Sequence, residues 1–130
     1  MPWPIDKKFI SEAEQSIGAA LPAEYKISMM SMNGGAVKTS DDIWSLHPIW
    51  DKSNKKRLTR TSNDILRETK AMVAWIGWPE NAICIGSNGT GDALIFLIQK
   101  NVVKPTVYKW NHETGQTVKI AENFSKLKKA

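Results

Sequence analysis

The sequence predicts an α+β fold, and three observations carry that prediction. Apolar residues recur at helical spacing in two stretches, residues 7–32 and 63–76. Short alternating or apolar runs, punctuated by glycine and asparagine, fill residues 83–120. The two kinds of stretch are segregated, not alternated as strand–helix–strand units, which points away from a parallel sheet. A chain of 130 residues with 42% hydrophobic and 24% charged residues reads as one ordinary domain spanning 1–130. It needs neither disulfide nor metal to hold a core.

Asp6 is placed to cap a first helix over Lys7 to Ile17, in which Phe9, Ile10, Ala13 and Ile17 share a face and Gly18 stops the run. Pro22 suits the first turn of a second helix, with Leu21, Tyr25, Met29 and Met32 on one side and Asn33-Gly34-Gly35 ending it. Ala36–Thr39 and Ile43–Ile49 read as two strands, with Trp44 and Leu46 on one face and Ser45 and His47 on the other. Pro48 implies that the second strand is an edge or ends there. Residues 50–62 read as a basic loop. Ser62, Asn63 or Asp64 caps a third helix carrying Ile65, Leu66, Thr69, Met72, Val73 and Ile76, which Gly77-Trp78-Pro79 stops. Strands follow at Ile83–Gly86, Ala93–Ile98, Thr106–His112 and Thr117–Ile120, with a hairpin turn at Glu113–Gln116. Asn123 caps a last short helix holding Phe124 and Leu127.

The net charge is +5, and Lys52, Lys55, Lys56, Arg57 and Arg60 cluster with no acid among residues 52–60. Lys126, Lys128 and Lys129 form a second group. Such groups fit nucleic acid, an acidic protein surface or a solvated loop and tail. Met1-Pro2-Trp3-Pro4 runs into charged residues without an apolar signal segment, and Ala93–Ile98 falls far short of the roughly 20 residues of a membrane helix. A cytoplasmic protein without membrane contact is the expectation. The lone Cys84, inside Ile83-Cys84-Ile85, reads as a buried structural thiol.

Catalytic patterns are hard to assemble from these residues. Gly86-Ser87-Asn88-Gly89-Thr90-Gly91-Asp92 resembles a phosphate cradle, but it feeds an apolar strand where a helix N-terminus would be required. His47 and His112 lack metal-ligand spacing, and no Gly-x-Ser-x-Gly nucleophile turn is present. Neither enzymatic activity nor a cofactor or metal is expected. Six tryptophans stand out, at positions 3, 44, 50, 75, 78 and 110. Three or four should fill the core, leaving Trp50 and Trp3 as the exposed pair.

Several fragments resemble one family. Glu14, Gly18, Leu21, Pro22, Glu24, Tyr25, Asn33, Gly34 and Gly35 fall in places similar to the opening signature of the SUKH superfamily, the Smi/Knr-like domains. Ile85, Gly86, Gly89, Gly91 and Asp92 resemble its glycine-rich turn, Val107–Glu113 a later strand, and Ile120–Phe124 the approach to its last helix. The resemblance implies a mixed, mostly antiparallel sheet backed by helices. It also implies a non-catalytic role: an immunity-type protein that binds and neutralises a cognate toxin domain by occlusion, or a regulatory scaffold for another protein. Nucleic-acid binding through residues 52–60 is the lesser alternative. The expected partner surface is a rim of Asn33, Gly34, Gly35, Asn88, Thr90 and Asp92, joined by Trp50, Trp110 and His112.

Overall fold

The structure, a computed structural model, describes residues 2–130. Helix α1 spans Lys7–Ile17 as its caps dictate: the Asp6 carboxylate accepts the Lys8 N–H, and Gly18 closes the end at φ 80. Helix α2 spans Ala23–Ser31 behind Pro22. Strands β1 (Ala36–Lys38) and β2 (Ile43–Leu46) follow as a hairpin. β2 stops before Pro48 and lies inside the sheet, so the proline marks an end and not an edge.

Two stretches differ from expectation. Within the basic segment, Lys55–Arg60 forms a helix, α3, whose Asn54 side chain accepts the Arg57 N–H. It has no buried residue and hence no apolar repeat by which to see it. Helix α4 spans Ile65–Met72 under an Asp64 cap and ends before Val73. Val73 and Ile76, expected on its apolar face, lie beyond that end and are exposed.

Strands β3 (Ala82–Ser87), β4 (Ala93–Gln99), β5 (Val102–Val103), β6 (Val107–Trp110) and β7 (Thr117–Ala121) come next. A short 3-10 turn, Phe124–Lys126, capped by Asn123, leads to β8 (Lys128–Lys129). The sheet order is β7-β6-β4-β3-β2-β1-β8, with β5 also on β4, and every pairing among the described residues is antiparallel. The mixed character implied by the resemblance is therefore replaced by a wholly antiparallel ladder. β5 and β8, two residues each, are too short to show alternation in sequence.

β3 is buried on both faces. On one, Ile83, Ile85, Leu94, Phe96 and Val107 meet Phe9, Ile10, Tyr25, Met29 and Phe124 in the main core. On the other, Cys84, Ala93, Ile95 and Trp110 form a smaller cluster under Met72 and Trp78. Each such side chain contributes on the order of 1.5–3 kcal/mol by leaving water. α4 guards the part of the β3 edge that β2 leaves open, where the Cys84 N–H donates to the Thr69 hydroxyl at 2.8 Å. Burial pushes the Cys84 thiol up to about 12, as befits a structural cysteine.

Candidate functional site

Strand direction brings three turns to one end of the sheet: Thr39–Asp42 between β1 and β2, Asn88–Asp92 between β3 and β4, and Asn111–Gln116 between β6 and β7. Side chains stitch them together. Asn88 Nδ2 donates to Asp42 Oδ2 at 2.7 Å, and Asn88 Oδ1 accepts both the N–H and the hydroxyl of Thr90. Asp92 Oδ1 accepts the His112 N–H at 3.0 Å and lies 2.6 Å from His112 Nδ1. Burial pushes the Asp92 carboxyl up, but the His112 hydrogen bonds and the Lys109 charge outweigh it and hold the group below its usual range. Gly91 must be glycine: its φ is +107, and a Cβ there would sit 3.0 Å from the His112 ring.

A fourth segment, Val73–Trp78, folds over this end after α4. Trp110, fully buried, donates from Nε1 to the Gly77 carbonyl at 3.1 Å. Trp75 and Trp78 stand edge-on to Trp110, with ring centroids 6.3 and 5.0 Å away, and Trp75 is also edge-on to His112 at 5.8 Å. Gly77 at φ +85 passes so close to Gly115 that a Cβ would lie 3.1 Å from its Cα. This scaffold presents apolar surface to solvent: Val73 is 67% exposed, Trp75 44% and Ile76 95%. Consecutive exposed apolar residues on a braced loop make an apolar surface patch of the kind that contacts use.

The expected rim does not form as one surface. Gly34 and Gly35 enter β1 at the end opposite the Thr39–Asp42 turn. Asn33 is buried and works as a clamp, its Nδ2 donating to the Ile49 carbonyl and its Oδ1 accepting the Ile49 N–H, both at 2.8 Å. Its own N–H donates to the Trp3 carbonyl. Trp50 belongs to that region too, with Nε1 donating to the Leu58 carbonyl and Lys52 Nζ 5.4 Å above its ring. Trp110 has no exposed atoms to offer; it braces the patch from beneath. Asn88, Thr90, Asp92 and His112 do come together.

Val73 and Ile76 were missed because the helical repeat of α4 was carried past its end, and Trp75 because Trp50 and Trp3 were the expected exposed pair. The Trp75-Ile76 adjacency just before Gly77-Trp78-Pro79 was the available signal. The basic cluster is largely engaged: Lys56 and Arg57 lie over the Trp3 ring at 5.7 and 5.1 Å, Arg57 faces the buried Asp51 at 3.8 Å, and Lys52 pairs with Glu12 at 2.7 Å. Trp3 is accordingly half-covered, and Trp75 takes the exposed place expected of it. Among the described residues no group of three His, Cys, Asp or Glu side chains is placed to hold a metal, and no helix is long and apolar enough to cross a membrane.

Fold and site together define a small α+β domain built on one antiparallel sheet with an apolar, tightly braced loop end. The model of the SMI1 / KNR4 family (SUKH-1) matches residues 4–129, and the chain belongs to that family. No curated protein matches it. The residues that carried the resemblance are mostly architectural. Glu14 Oε2 accepts the Leu21 N–H at 2.7 Å and pairs with Lys26, fixing the α1–α2 corner. Gly86 passes so close to β2 that a Cβ would lie 3.0 Å from the Ser45 carbonyl.

Proposed function

We propose that this chain is an immunity-type protein: it docks on a cognate toxin domain in the producing cell's cytoplasm and blocks it by occlusion, without catalysing a reaction. The observation that carries this reading is the exposed Val73-Trp75-Ile76 patch, held rigid by the Trp110–Gly77 hydrogen bond and the Trp75–His112 contact. Membership of the SMI1 / KNR4 family supports it. A pre-ordered apolar anchor loses little side-chain entropy on binding and so retains more of its burial energy. A standard interface covers roughly 800 Å² per partner, so the contact extends from the patch across Asn88 and Thr90, with Asp92 and His112 fixing the loops beneath.

Co-expression with a candidate cognate toxin domain is the test. Protection of growth is expected, and Ile76→Asp should remove it without lowering the amount of folded protein. Growth arrest with the unaltered protein present would overturn the reading.

A further inference from the structure

A second feature lies between the sheet's two outer strands; it borders the Thr39–Asp42 and Asn111–Gln116 turns but includes none of Val73, Trp75, Ile76, Asn88 and Thr90. In a flat sheet the β1–β2 turn and β6 would be three to four strand spacings apart, roughly 14–19 Å. Yet Lys109 Nζ on β6 reaches Asp41 Oδ2 in that turn at 3.9 Å. The sheet is thus strongly curled, and its two outer strands, β7 and β8, border a common groove of about 920 Å³.

Lys38, Lys109, Lys119, Lys126 and Lys128 line this groove, against the single carboxylate of Asp41. Lys109 is paired with Asp41, and Lys119 with Glu122. Lys38, Lys126 and Lys128 make no ion pair with any described residue. The β1–β8 register even sets Lys38 directly opposite Lys128, a like-charge cross-strand pair that costs stability. Val118, Ile120 and Leu127 supply apolar surface within the groove. No aromatic ring lines it, so it lacks the stacking platform that single-stranded nucleic acid uses. What it does have is the outer edge of β7, a row of backbone groups that an added strand can pair with.

From this combination we infer that the groove binds an extended acidic polypeptide segment, added as a strand along β7 with its carboxylates on the free lysines. The segment can belong to a toxin or to any other protein, so this inference does not depend on the immunity reading. Lysine charge selects the acidic sequence and speeds its arrival, and the β7 edge fixes its direction.

The probe is a fluorescent alternating Glu-Val peptide titrated into the full chain. Saturable binding that weakens as salt is raised is expected, with no binding of the matching Lys-Val peptide or of a single-stranded DNA oligonucleotide. Lys128→Glu should weaken the Glu-Val peptide at least tenfold while raising Tm, because it turns the repulsive Lys38–Lys128 pair into an attractive one. That opposition of binding and stability separates recognition from folding. Methylating the peptide's backbone nitrogens should abolish binding. Four results would each overturn the inference: no binding of the Glu-Val peptide, equal binding by Lys128→Glu, full binding of the methylated peptide, or preference for the oligonucleotide. Toxin protection by the unaltered chain, measured separately, stands or falls with the loop-end patch and not with the groove.

Discussion

The two ends of this domain use the same residue types in opposite ways. At the closed end, Trp3 and Trp50 lie under the cations of Lys56, Arg57 and Lys52, and the Asn33 clamp ties helix exit, strand exit and N-terminal segment together. At the loop end, Trp110 is buried beneath Trp75 and Ile76, and no cation of the described residues lies over the Trp75 ring. Trp50 is exposed as expected, at 42% against 44% for Trp75, so the two ends differ in the lysine that lies over the ring and not in how much of the ring meets water. A tryptophan braced from below and bare above is a surface held ready for contact. Position within the fold, more than residue type, decides which tryptophan or lysine is available.

Removing each end's central support should have the largest effects. Trp110→Ala should cost about 3–5 kcal/mol in chemical denaturation, since it empties the smaller core and frees the Gly77 carbonyl. Asn33→Ala should cost about 2–4 kcal/mol by orphaning both backbone groups of Ile49. Of the two, only Trp110→Ala should quench the ordered environment of Trp75, which near-ultraviolet circular dichroism would report.

The ends should also part company with pH. Burial depresses the His47 pKa despite Glu68 3.9 Å away, so the unfolded chain takes up the proton more readily than the folded one. His47 therefore contributes full stability above about pH 6.5, the usual histidine value, and loses it as pH falls from there toward its lower folded value. Asp92, also depressed, keeps its contribution until pH falls below about 4, the usual aspartate range. His47→Gln should flatten the Tm profile between pH 7 and 5, and Asp92→Asn should remove the part of the acid loss that sets in below about pH 4.

Some of this was legible in the sequence. Asp6, Gly18 and Asn123 announce their caps because capping is local chemistry, and α1 begins and ends where they place it. The Asn88–Asp92 turn is followed by a strand as its apolar sequel demanded. Asn33 was misread because Asn-Gly-Gly is a turn signature whatever its side chain does, and its partner Ile49 lies sixteen residues away. Trp110 was misplaced because alternation along β6 tells which residues share a face and not which face is covered. The lysine groove was invisible because it is made by sheet curvature, which brings Lys109 of β6 to the side of the paired Lys38 and Lys128 of β1 and β8.

Interior chemistry supplies the smallest effect. The Tyr25 hydroxyl is fully buried between Phe96 and Phe124 and has no hydrogen-bond partner among the described residues, and burial drives its pKa far up. Tyr25→Phe should leave stability unchanged or raise it by about 1 kcal/mol, measured by urea denaturation. A loss above that size would mean the hydroxyl is satisfied.

In the proposed role the loop end, and not the end that carries Trp3 and Trp50, meets the partner. Calorimetric titration of the cognate toxin domain into Ile76→Asp, alongside a thermal melt, tests it most directly. An unchanged Tm with affinity reduced at least a hundredfold is the predicted result. Wild-type affinity in a folded Ile76→Asp variant would contradict it.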